Sequence, residues 1–321
     1  MSRARAPSVG ESLKTPHSVS LKVLRLSRPS LAPQTPLPPD SSSPLGLHFS
    51  AHASRADPSG SSIRDGFGVG LAPALLLPES FGGAYVGETF ACALAANNEV
   101  PSGDPREVSG LKVVAEIQTP GAAAGTWVGV GLEGEHEGEE GFEPGASRQW
   151  ILRLALKEEG QHTLGVTVTY TETGAAGEAR TRSFRKLYQF AATNLVGVRT
   201  KAGDLPPRAG RGRYALEAQL ENLGERGVAI ESVSVAPRPP FTSTSLNWDV
   251  AGDAARAPVL NPHDVYQVAF ILEEGEEKKG EDEEQTPAGG KLVLGQLHIQ
   301  WRGSMGDRGT LTTGWLTGRR R

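Results

Sequence analysis

The sequence predicts an all-β chain of two tandem β-sandwich domains, with a disordered N-terminal insertion and a C-terminal tail. Three observations carry that reading. Short stretches alternate apolar and polar residues, as half-buried strands do. Gly, Pro, Asn and Asp punctuate them as turns. A long helical period and a strand–helix–strand alternation are both missing from the sequence.

Totals agree with the pattern. A length of 321 residues suits about two domains. The hydrophobic share of 37% is low for one body, and the 40 Gly and 23 Pro concentrate in particular segments. Folded modules diluted by disordered insertions have that signature. A net charge of -4 creates no field that would draw the chain to nucleic acid or anionic lipid. Cys92 is the single cysteine, so no intrachain disulfide forms, which fits a reducing compartment. No apolar run approaches the ~20 residues that span a bilayer.

Residues 1–17 are basic and disordered, without the apolar region of a signal peptide. Residues 18–31 form an N-terminal strand packing on the first sandwich. Val19, Leu21 and Val23 alternate; Leu24 and Leu26 shift the phase, as a bulge would. A mitochondrial presequence is the rival reading, but these residues form no convincing helical stripe and Pro29 closes the segment. Residues 32–71, rich in Pro, Ser and Gly, are the disordered insertion.

The first sandwich is expected over 72–192. Phe90, Cys92, Leu94 and Ala96 share one face. So do Leu111, Val113, Ala115 and Ile117, and later Trp150, Leu152, Leu154 and Leu156. Leu164, Val166, Val168 and Tyr170 make the strongest strand by composition. Ser183 to Ala191 adds Phe184, Leu187 and Phe190 at imperfect spacing. The second sandwich is expected over 193–303. Tyr214, Leu216, Ala218 and Leu220 alternate, and Asp264 to Leu272 is apolar enough for burial on both faces. Gly295 marks a phase change before Leu297, Ile299 and Trp301. Residues 273–290 are an acidic, disordered loop, and 304–321 a fraying tail.

Catalytic patterns are weak. Gly129 to Gly134 matches G-x-G-x-x-G, but the following glutamates would repel phosphate and no helix follows, so a strand-connecting loop is expected. His136 with its acidic neighbours reads as a solvated charge run rather than a Ca²⁺ site. Cys92 stands on an inward face as an inert core thiol. No cofactor, metal or catalytic residue is expected.

Three blocks carry a resemblance: SLKVLRLSRPSL from Ser20, LPESFGGAYVGETF from Leu77, and GKLVLGQLHIQWRGSMGDRGTL from Gly290. KEEGQHTLGVTVTY, from Lys157, agrees in the middle. In this order they resemble the subunit-thirteen family of the TRAPP (trafficking protein particle) tethering complex. The resemblance implies immunoglobulin-like sandwiches and a further β module in family members beyond the position of Arg321. It also implies a non-enzymatic, peripheral scaffold or adaptor subunit in ER–Golgi and Golgi transport. Its partners would be other TRAPP subunits and, indirectly, a Rab-family GTPase exchanged by the core of the complex. It would be cytoplasmic, touching membranes only peripherally through the complex, and would not bind nucleic acid. The alternative is a free, arrestin-like cargo adaptor. For partner contact the sequence nominates Phe81, Tyr85, Trp301, Asp307 and Arg308, the first two beside the Gly82-Gly83 turn and the others at the end of the last strand.

Overall fold

A computed structural model describes residues 16–32, 75–123, 125–134, 141–248, 257–275 and 291–319. Every regular element among them is a strand. The first eleven are β1 (Val19–Arg25), β2 (Ser30–Leu31), β3 (Leu75–Leu76), β4 (Gly83–Tyr85), β5 (Thr89–Asn98), β6 (Glu107–Gln118), β7 (Val128–Val130), β8 (Leu132–Glu133), β9 (Ser147–Ala155), β10 (Gly160–Thr173) and β11 (Ala179–Thr193). The rest are β12 (Val196–Arg208), β13 (Arg211–Asn222), β14 (Val228–Pro237), β15 (Phe241–Ser245), β16 (Val259–Leu260), β17 (Val265–Glu274), β18 (Lys291–Gly303), β19 (Arg308–Thr312) and β20 (Leu316–Arg319).

Two sandwiches follow one another. In the first, a sheet of order β1-β5-β9-β8 packs on one of order β4-β11-β10-β6-β7. In the second, β12-β13-β17-β15 packs on β16-β14-β18-β19, with β20 pairing the other half of β18. Each core draws on alternate residues of both layers, as a period of two demands. Phe90, Cys92, Leu94 and Ala96 of β5 meet Leu164, Val166, Val168 and Tyr170 of β10, and all eight are buried. Burial pushes the Cys92 thiol up to about 12, so it stays protonated and inert. Only Asn194 and Leu195 separate β11 from β12.

Several local expectations are corrected. β1 runs without a bulge: it pairs β5 residue for residue from Val19 opposite Asn98 to Arg25 opposite Cys92. Leu24 therefore points outward and the inward place falls to Arg25. In β11, Leu187 is exposed while Tyr188 turns toward the core, because Phe184 and Phe190 set an even-numbered phase. β17 is buried on one face: Val268, Phe270 and Leu272 point inward, and Val265 is exposed. The segment expected to fray, 304–321, instead holds β19 and β20, which hydrogen-bond to the two halves of β18. Leu316 joins the second core from there. Gly295 does sit at a register shift, against β20. The insertion after Ala32, His136 and most of the acidic loop lie outside the described residues.

Candidate functional site at the junction of the two sandwiches

The four residues from Tyr85 to Glu88 form the hub of the junction. Their turn is pinned from the first sandwich: Val86 N–H donates to the Thr193 carbonyl at 2.9 Å, and Gly87 N–H to the Leu156 carbonyl at 2.7 Å. Gly87 adopts φ 91°, a conformation glycine reaches without penalty. Its carbonyl accepts the Thr310 N–H of the second sandwich at 3.1 Å, and Glu88 bridges Gly309. A Cβ on Gly87 would collide with the Thr310 carbonyl oxygen and the Trp301 ring. Trp301 is 1% exposed and lies against Gly309, where a Cβ has no room either. Close backbone approach through glycine thus couples the two bodies.

Charged side chains surround this contact. Arg25, at the inward end of β1, donates through Nη1 to the Phe81 carbonyl and, at 3.0 Å, to the Gly83 carbonyl. Its Nε reaches Ser27 Oγ at 3.2 Å, while its buried Nη2 has no hydrogen-bond partner among the described residues. Arg28 donates its backbone N–H to Asp307 Oδ1 at 3.3 Å and its Nη1 to the Gly83 carbonyl at 3.1 Å. The Arg28 guanidinium stacks 4.1 Å from the Tyr85 ring centroid, an attractive cation–π geometry. Glu88 accepts the Tyr85 N–H at 3.1 Å. Burial, above all, pushes the Glu88 carboxyl up and Arg25 down from their ordinary values. Nearby Arg28 pulls the Glu88 carboxyl back down in part.

Between these groups lies a cavity of about 250 Å³. Arg25, Arg28, Tyr85 and Glu88 line it from the first sandwich; Arg226, Trp301 and Asp307 line it from the second.

Of the five nominated residues, the structure brings three to this cavity: Tyr85, Trp301 and Asp307. Phe81 stacks on Tyr188, centroids 5.0 Å apart, and packs against the first core. Arg308 is directed elsewhere, its Nε 3.4 Å from Glu231 Oε2, which lies beside a register shift in β14. Gly129 to Gly134 covers the end of β7, its connection to β8, β8 and the residue after it, so its glycines open no helix. Sequence reading missed Arg25, Arg28 and Glu88. A signal existed for two of them. Arg25 continues the phase of Val19, Leu21 and Val23; Glu88 stands in phase with Ala84, Val86 and Phe90. A charge on an inward phase marks a position with a polar task.

Models of the trafficking protein particle complex subunit 13 family match this chain twice, the N-terminal model over residues 17–192 and the middle-domain model over 198–320. The chain belongs to that family. Trafficking protein particle complex subunit 13 of Danio rerio is 28% identical over 312 residues, covering 94% of this chain and 69% of the relative. The probable homologue in Drosophila melanogaster is 27% identical over 303 residues, with 94% and 64% covered. Among solved structures, the secreted serine protease VesC from Vibrio cholerae is 10% identical, covers 74% of this chain and 49% of its own, and gives a TM-score of 0.22, too low to carry an argument. Three of the stretches that resemble the family in sequence meet at the junction: Arg25 and Arg28 come from the first, Tyr85 to Glu88 from the second, and Trp301 to Thr310 from the third. Among the described residues, no helix is long and apolar enough to cross a membrane.

Proposed function

We infer that this chain is a non-catalytic, peripheral subunit of the trafficking protein particle complex, serving ER–Golgi and Golgi transport as a scaffold or adaptor. The ordered match to both family models carries the reading. Its physical support is the joint. Two residues of connection, the Gly87–Thr310 hydrogen bond and the packing of Trp301 against Gly87 hold two sandwiches as one frame. Such a frame keeps docking surfaces at fixed spacing, which is what a scaffold contributes to an assembly. Its partners are other subunits of the complex. A Rab-family GTPase is reached only through them, and the chain works in the cytoplasm at ER–Golgi and Golgi membranes.

Affinity purification of the tagged chain tests this. Other subunits of the complex should co-purify in stable stoichiometry, and the chain should elute from size exclusion of native lysate at the size of a large assembly. Elution as a lone small protein, with no subunit recovered, would refute the proposal in favour of a free cargo adaptor.

A further inference from the structure

The junction cavity has polar and apolar walls in like measure, is built from both sandwiches, and among the described residues leaves one buried donor without a partner. We propose that it receives one carboxylate, presented by a glutamate or aspartate side chain of a partner polypeptide. Arg25 supplies the strongest argument. It is 4% exposed, it lines the cavity, and its Nη2 has no hydrogen-bond partner among the described residues. A buried guanidinium N–H left empty is costly, and an incoming oxygen relieves that cost. Arg226 supplies the second. It comes from the turn between β13 and β14, lies exposed at the same cavity, and its guanidinium has no partner among the described residues. Two arginines from two sandwiches therefore line one space, and guanidinium groups match a carboxylate in geometry as well as charge.

The rest of the lining selects among anions. Glu88 and Asp307 already accept the N–H groups of Tyr85 and Arg28. With Glu225 they set three acids against Arg25, Arg28 and Arg226, so the local field is near balance. Such a site accepts one negative charge and resists a phosphate, which carries about two. Size points the same way. Pockets for drug-sized ligands run from about 300 to 1,000 Å³, so 250 Å³ suits a side chain better than a nucleotide. Pro78, Leu195 and Val228 give its aliphatic stem an apolar wall.

The test is calorimetric titration of the full chain at constant ionic strength. The probes are N-acetyl-glutamate α-amide, its glutamine counterpart, acetate and inorganic phosphate. Saturable binding of the capped glutamate, at least about tenfold tighter than each other probe, is expected, a charge-assisted hydrogen bond being worth that factor. Arg226→Ala should weaken it by about tenfold while leaving the melting temperature unchanged, because Arg226 is exposed and its guanidinium has no partner among the described residues. Arg25→Lys, which keeps the charge and loses the fork, should weaken it too. Should that variant unfold early, Arg226→Ala decides alone. Equal binding of the glutamine probe, or no effect of Arg226→Ala, overturns the site. Equal binding of acetate or phosphate reassigns the cavity to a free small anion and overturns the polypeptide ligand. That the partner is another complex subunit rests on the reading above. Failed titration with subunits still co-purifying sinks the site alone; the reverse result sinks the subunit reading alone.

Discussion

In β10, Leu164, Val166, Val168 and Tyr170 occupy four successive inward positions and every one is apolar or aromatic and fully buried. At the junction, the inward phase of β1 ends on Arg25, and that of β5, carried back to the turn before it, falls on Glu88, also buried. The same period places both sets, yet their energetics differ. The first set is stabilised by leaving water, which needs no particular partner. The second loses hydration and recovers it only through individual hydrogen bonds, Arg25 with the distant Phe81 and Gly83 carbonyls and the nearby Ser27 hydroxyl, Glu88 with the Tyr85 N–H. The core therefore tolerates approximate shape, whereas the junction depends on individual atoms.

Four substitutions would break or sharpen that contrast. Phe90 stacks on Phe190 with centroids 4.3 Å apart, and Phe90→Ala should remove ~3–5 kcal/mol. Urea unfolding followed by far-UV circular dichroism would show a lower midpoint for the first sandwich. Gly87→Ala should cost roughly 1–3 kcal/mol, from strain at φ 91° and from the clash with Thr310. The loss should fall on the joint, splitting one calorimetric transition into two. A single unshifted transition would show that the close approach does not couple the bodies.

Glu88→Gln is smaller and has a pH signature. Burial raises the folded-state pKa of Glu88 above its unfolded value, so the native state holds a proton that the unfolded state has released. The resulting stability is present below the ordinary carboxylate range and is lost as pH rises through the raised folded value. Glu88→Gln should abolish that slope and raise the midpoint at pH 7, since Gln retains an oxygen for the Tyr85 N–H. A variant with the wild-type pH dependence would place the titration elsewhere. Arg199→Ala should do least. The Arg199–Glu221 ion pair measures 3.0 Å, but the arginine side chain is 77% exposed. Exposed pairs of this kind contribute ~0.5 kcal/mol or less, so the urea midpoint should barely move.

What the sequence made legible follows the same division. The inward stripes of β5, β10 and β13 could be read because an apolar period of two is a local signal. β19 and β20 were missed because RGTLT and LTGR are short and polar; their strand state comes from β18, not from their own composition. Leu24 and Leu26 suggest a bulge because their apolar phase is shifted by one from Val19, Leu21 and Val23. Register with Cys92 decides otherwise. Tyr85, Trp301 and Asp307 were found as turn and strand-end residues, but nothing local says that Gly87 and Thr310 touch. That contact spans more than two hundred positions of chain and is invisible to any short window.

Cys92 has a practical consequence. It is the only thiol in the chain, 0% exposed, and too weakly acidic to ionise at neutral pH. Maleimide reagents will therefore pass over the native protein. A cysteine engineered onto any outward strand position becomes a unique chemical address, so dyes or crosslinkers can be placed on either sandwich without first deleting anything.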